Sequence, residues 1–249
     1  MLEAQIQHLS SNTSLTRYQQ SRACTPQFFV AEIRREVMQQ AFRSPVSRSC
    51  GRVVGYWSSR KSHKLIQWES QLERDCLIRL DADPKVRLIY EQPFPLRYQF
   101  DGRQREHIPD FLVYLSNGRK VVEVKPKVNL EIDGEQERFE AIKNEFKAQG
   151  LDYEVLTEVE IRKEPEFSNA KLVSRFRYHH LPSSAEVLLR KIGSQHRQLE
   201  AGEIEFLSGN EIRKPTLLTA HSLGLLELDL GREFSAKTIV SFLSQGEEK

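Results

Sequence analysis

Two turn dipeptides constrain this chain more than any other feature. Asp101-Gly102 and Asn117-Gly118 each stand between β-rich runs. Such pairs accept the positive φ angles that a two-residue hairpin turn demands. The flanking runs VRLIYEQPFPLRYQF, RQREHIPDFLVYL and RKVVEVK are therefore expected to form three consecutive antiparallel strands. Ahead of them, IQWESQLERDCLIRLDADP places Leu72, Cys76, Leu77 and Leu80 on one helical stripe. Asp83-Pro84 ends that helix, because a residue before proline avoids the helical region. After them, EQERFEAIKNEFKAQG sets Phe139, Ile142 and Phe146 at helical spacing, with Gly150 as the C-cap. LDYEVLTE then reads as a fourth strand. The order is αβββαβ, an α/β core of the α+β kind.

The flanks differ from this core. Residues 1–64 hold ten Lys/Arg against three Asp/Glu, a net of +7, so a chain of net +2 leaves −5 for the remainder. A basic arm ahead of an acidic body suits a polyanionic partner, and equally a solubilising tail. Within the arm, Phe28, Phe29, Ile33, Val37, Met38 and Phe42 predict a helix over 27–42. Glu164-Pro165 opens a charged stretch that suggests a boundary. Beyond it, SSAEVLLRKIGSQ, a piece near 203–208 and KPTLLTAHSLG read as helices, LLELDLGREF as a short hairpin, and SAKTIVSFL as a last helix or strand. That pattern fits a C-terminal, mainly helical winged-helix-like domain. The expected domains are thus 1–66, a basic arm and helix packed on the core; 67–164, the core; and 165–249.

Composition narrows the class. With 39% hydrophobic and 29% charged residues the chain reads as globular rather than disordered. No apolar run is long enough to span a membrane, and MLEAQIQHLSSNTSL has no secretory pattern. Cys24, Cys50 and Cys76 are odd in number and widely spaced, which argues against a disulfide framework or a zinc site and for a reducing cytoplasm.

The chemistry lies in IPDFLVYLSNGRKVVEVKPK. Side chains alternate along a strand, so Glu123 and Lys125 share a face, while Val122 and Val124 turn to the core. Asp110, on the second strand of the meander, comes alongside, and Glu73 on the preceding helix adds a third carboxylate. Carboxylates hold hard divalent cations. A lysine beside them can orient a water or neutralise charge that develops on a phosphate. This is the residue kit of a PD-(D/E)xK phosphodiesterase. Taken singly, each charge could equally decorate a solvated strand face.

These residues carry a resemblance. The stretch from SRKSHKLIQWESQLERD through YEQPFPL to IPDFLVYL and VVEVKPK resembles TnsA, the endonuclease subunit of the two-part transposases of Tn-seven-like elements, including CRISPR-associated ones. The family's Ser-x-Leu-Glu matches Ser70–Glu73, its acidic strand residue matches Asp110 after Pro109, and its x-Val-Lys-Pro matches Glu123–Pro126. Some members carry Gln where this chain has Glu123. The resemblance implies a restriction-endonuclease-like fold and Mg²⁺, with Mn²⁺ as a substitute. It also implies cutting of the 5′ strands at double-stranded transposon ends, beside a TnsB-like DDE transposase and a TnsC-like AAA+ regulator. A nucleoid-associated cytoplasmic protein is implied. A silent DNA- and partner-binding module, or a stand-alone nuclease, are the alternatives.

Other residues invite a role. Glu69 sits four residues from Glu73 and could replace it as a ligand, or be a first-turn acid favoured by the helix dipole. Arg60, Lys61, His63 and Lys64 form a basic run suited to phosphate contacts or to a solvated loop. Gln92, in EQPFP, is a backbone-capping or phosphate-positioning amide, or a plain turn residue. Lys127, in VKPK, is a further candidate. His179 and His180 lack companion ligands and read as a surface pair, and Trp57 and Trp68 as anchors.

Overall fold

The computed structural model describes residues 53–243. The helix expected over 27–42, most of the basic arm, and Cys24 and Cys50 lie outside the described residues. The described part opens with an antiparallel pair, β1 (Gly55–Trp57) and β2 (Ile66–Trp68). Helix α1 (Gln71–Ala82) follows. The Ser70 side chain caps it by accepting the Glu73 N–H at 3.1 Å, which satisfies one of the backbone donors orphaned at a helix start. The helix stops at Asp83, ahead of Pro84.

The expected meander is only partly what forms. Strands β3 (Val86–Glu91), β6 (Phe111–Leu115), β7 (Gly118–Val124) and β8 (Asp152–Leu156) make one sheet in the order β3-β6-β7-β8. β3–β6 and β6–β7 are antiparallel, and β7–β8 is parallel. The β6–β7 hairpin expected at Asn117-Gly118 forms, with Ser116 and Asn117 in the turn and Gly118 opening β7 opposite Leu115. Asp101-Gly102 also closes a hairpin, but of β4 (Leu96–Phe100) with β5 (Arg103–His107), a separate two-stranded ribbon inserted between β3 and β6. The chain leaves β3 at Gln92, whose φ of 42° turns it away just before Pro93. A parallel β8 needs a crossover, supplied by α2 (Lys127–Leu130) and α3 (Glu135–Ala148).

Two cores result. On one face of the sheet, Ile89, Phe111, Val113, Val122 and Val124 pack with Leu72, Cys76, Leu77 and Leu80 of α1, the predicted stripe. Each such buried aliphatic side chain contributes about 1.5–3 kcal/mol. The other face carries Leu112, Val121 and Tyr153, and Phe146 of α3 stacks on Tyr153 at 5.1 Å between ring centroids.

After β8 come α4 (Glu158–Ile161), α5 (Glu166–Phe176), α6 (Ser183–Gln195), β9 (Gln198–Glu200), α7 (Ala201–Leu207), α8 (Lys214–Ser222), β10 (Leu226–Leu228) and β11 (Ile239–Phe242). The helices expected from sequence in this region form. LLELDLGREF does not fold on itself: Leu226–Leu228 pairs with 240–242, so SAKTIVSFL ends as a strand, and β9 completes a β10-β11-β9 antiparallel sheet. Ile78 and Ala82, on a second side of α1, are buried in one cluster with Phe167, Ala170, Val173, Leu217, Leu218 and Ala220. Helix α8 is sunk in that cluster from Leu217 to His221. No helix among the described residues is long and apolar enough to cross a membrane.

Candidate active site

Asp110 is not inside a strand. It stands one residue before β6, where Pro109 cannot donate to a ladder. Its position is nevertheless pinned twice. The Asp110 carbonyl accepts the Gln92 N–H at 2.8 Å, and its Oδ2 accepts the Val124 N–H at 2.7 Å. Gln92 therefore acts through its backbone, and its side-chain amide donates to Glu69 Oε1 at 3.3 Å. Glu123 is the penultimate residue of β7. Lys125 lies one residue past β7 and still donates its N–H to the Leu156 carbonyl at 3.0 Å.

The face that carries Glu123 was expected to be open. Instead the Glu123 side chain is 1% exposed, and both of its oxygens are engaged. Lys125 Nζ lies 2.9 Å from Oε1, and His107 Nε2 lies 3.0 Å from Oε2. A carboxylate can only accept, so the His107 ring donates from Nε2–H. His107 is a site residue that the sequence reading missed. Its signal was faint: a lone histidine three residues ahead of Asp110, at the end of a strand whose ribbon reaches back over the sheet.

Electrostatics binds the group together. Burial raises the Asp110 pKa well above the usual carboxylate range, and the negative charges of Glu123 and Glu73 push it further. Burial also pushes Glu123 up, but the His107 bond and the Lys125 charge outweigh it and hold Glu123 lower than usual. The two buried carboxylates are thus pushed in opposite directions, Asp110 toward its neutral form and Glu123 toward its charged form. Lys125 is raised despite burial, because Glu123 and Asp110 both favour its charged form.

Glu69 stands ahead of the Ser70 cap, outside α1, and Glu73 is the acid that the helix presents, acting on Asp110 and acted on by Lys125. Burial leads the causes that raise its pKa. Its oxygens also serve the helix start: Oε2 accepts the Glu69 N–H at 2.8 Å, and Oε1 the Ser70 hydroxyl at 2.9 Å. Tyr153 completes the surroundings. Its buried hydroxyl has no hydrogen-bond partner, and burial followed by the Glu123 and Asp110 charges raises its pKa.

These observations bear on a metal. Hard oxygen donors, mutual repulsion among Asp110, Glu123 and Glu73, and an orphaned polar atom beside them fit a divalent cation held by Asp110 and Glu123, with Glu73 as a third donor. The carboxylates are not gathered for it: among the described residues no group of three His, Cys, Asp or Glu stands ready to hold a metal ion.

The basic run does not behave as one surface. Lys61 is turned inward, and its ammonium donates to the Leu80 and Asp83 carbonyls at the end of α1. Burial lowers its pKa to about 8. This corrects the expectation of a solvent-facing phosphate contact at Lys61. Lys64 pairs with Glu91 at 2.9 Å, Arg60 stacks 5.6 Å above the Tyr178 ring centroid, and His63 is exposed. Lys127 is exposed, and its N–H donates to Glu158 Oε2 at 2.9 Å. His179 and His180 are exposed, as expected of a surface pair. Trp68 is buried in the core over the sheet, with Trp57 packed against it.

Residues 83–158 match a family model described as TnsA-like endonuclease N terminal. That stretch contains Gln92, His107, Asp110, Glu123, Lys125 and Lys127, and it begins after Glu73. No curated protein matches the chain in a sequence comparison.

Proposed function

We propose that this chain, which belongs to the TnsA-like endonuclease family through residues 83–158, is the metal-dependent DNA endonuclease subunit of a Tn-seven-like transposase. It cuts the 5′ strands at double-stranded transposon ends and works beside a TnsB-like DDE transposase and a TnsC-like AAA+ regulator. The observation that carries this reading is the Asp110–Glu123–Lys125 group at the end of the β6–β7 hairpin: Asp110 holds the Val124 N–H, buried Glu123 bonds the Lys125 ammonium, and the two carboxylates repel each other. Mg²⁺, or Mn²⁺ in its place, is the expected ion.

Asp110 and Glu123 would hold the cation, and Glu73 would supply a third carboxylate. Such a cation would supply Lewis acidity toward the scissile phosphate and toward water. A cation beside Asp110 would favour its ionised form, against the burial and the Glu123 and Glu73 charges that raise its pKa. Lys125 offers an ammonium to the charge that develops on the phosphoryl oxygens, where a fixed cation in a partly dry site acts strongly. Gln92 holds the Asp110 backbone in register. The C-terminal arrangement of helices with the β10-β11-β9 sheet supports a winged-helix-like module. The burial of α8 argues against that helix lying along its length in a DNA groove.

Strand-specific cleavage of transposon-end DNA, with and without a TnsB-like partner, tests the proposal. Wild type should nick the 5′ strands only with divalent cation. Asp110→Ala should leave 3′ cuts by the partner and convert simple insertions into cointegrates, because the donor stays attached through uncut 5′ strands. Unchanged simple insertion by Asp110→Ala would favour the second reading, a silent DNA- and partner-binding module. That reading draws on the occupied oxygens of Glu123.

A further inference from the structure

Glu123 is gripped from two sides by partners of different kinds. Lys125 reaches Oε1 from just past the end of β7, with a long side chain that is 31% exposed. His107 reaches Oε2 from the ribbon, is 9% exposed, and sits opposite buried Leu96 at the base of the β4–β5 pair. A hard cation that uses Glu123 must take one of these oxygens. Freeing Oε1 requires only that a flexible ammonium rotate toward solvent. Giving Oε2 to the cation would strand the His107 ring N–H in a nearly dry site, and a buried donor left without its partner is costly. Outer partners that orient a ligating carboxylate matter nearly as much as the ligands themselves.

We infer that His107 is a positioning residue that keeps Oε2 at all times, so Glu123 offers Oε1 to the cation and cation entry releases Lys125 for the phosphate. The inference rests on the nuclease reading above. It adds a residue to it, and it assigns the two partners of Glu123 opposite effects on cation binding. His107 presents the ligand, and Lys125 competes for it.

The test is calorimetric titration of the metal-free, full-length chain with Mn²⁺, with unfolding temperature and circular dichroism recorded for each variant. His107→Ala should weaken binding by about 10–100-fold. His107→Gln, which can still place an N–H near Oε2, should recover most of that loss. Lys125→Met should bind Mn²⁺ more tightly than wild type, although it cannot cut. A merely structural role for His107 would lower the unfolding temperature without this opposition of signs. Should His107→Ala fail to fold, His107→Gln and Lys125→Met carry the test. A folded His107→Gln that has lost Mn²⁺, or a Lys125→Met that binds it more weakly, overturns the inference. So does a folded His107→Ala with wild-type affinity. Wild type that binds Mn²⁺ and cuts DNA while these variants behave alike refutes only the role of His107. Wild type that binds no Mn²⁺ at all brings down the nuclease reading and this one together.

Discussion

Replacing Lys125 by methionine keeps the unbranched stem of the side chain, one atom shorter, and removes its charge, so it measures what the ion pair contributes. Glu123 is 1% exposed and would keep only its His107 bond. Removing one partner of a fully buried pair costs about 3–5 kcal/mol. Lys125 is 31% exposed, and solvent screens such a pair, so the cost falls below that range, at about 2 kcal/mol. For a chain of this size that is about 4–8 °C in unfolding temperature. Adding Glu123→Gln abolishes the stranded charge while leaving an oxygen for His107. The double variant should therefore be more stable than Lys125→Met alone, with a coupling of about 1–2 kcal/mol. Thermal unfolding in EDTA at pH 7.5, followed by circular dichroism, reads all four corners of the cycle. Excess Mn²⁺ should restore much of the loss in Lys125→Met, since binding to the native state stabilises it by mass action. If Lys125→Met melts with wild type in EDTA, or the double variant is less stable than the single one, the pair does not hold Glu123 as described.

Two further outcomes follow from the same geometry. Burial and two neighbouring carboxylates raise the Asp110 pKa, so the folded state holds its proton after the unfolded chain has released it, and stability falls as pH rises through that window. Asp110→Asn, neutral throughout, should be more stable than metal-free wild type at pH 8, with the difference fading toward pH 4. Urea titrations at both values check it, and a less stable Asn variant at pH 8 would contradict the assignment. Lys61→Ala should cost about 1.5–3 kcal/mol by removing charged hydrogen bonds at the end of α1, yet leave the salt dependence of DNA binding unchanged. A flatter salt slope would return Lys61 to the DNA-contacting surface.

What the sequence disclosed, and what it hid, follows from the range of each signal. Asp-Gly and Asn-Gly act within four residues, and both close hairpins. Strand alternation acts within one strand, and it correctly put Glu123 and Lys125 on one face, away from the valine core. The error was to join VRLIYE to LRYQF and RQREH to FLVYL as continuous strands. Pro93, Pro95 and Pro109 were the available warnings, since proline cannot donate to a ladder. That misjoining hid His107, because a ribbon folding back over the sheet brings it to Glu123 by tertiary contact alone. It also made the Glu123 face look open. The α1 stripe showed one apolar side, while Ile78 and Ala82 escaped notice because the residues that cover them lie near 170 and 220. Lys61 looked like part of a basic patch because charge counting cannot tell a lysine that faces solvent from one that caps a helix.

Helix α1 is a party wall. One side lines the sheet that bears Glu123, and the other is sealed by α5 and α8. A fragment that ends at Glu164 would uncover Ile78 and Ala82 as a sticky apolar strip, so the nuclease half should not be separable as a well-behaved piece. The same masonry links distance to chemistry. Close-packed interiors transmit displacement rather than absorb it, so a partner that shifts α5 or α8 leans directly on the helix that carries Glu73, whose charge acts on Asp110.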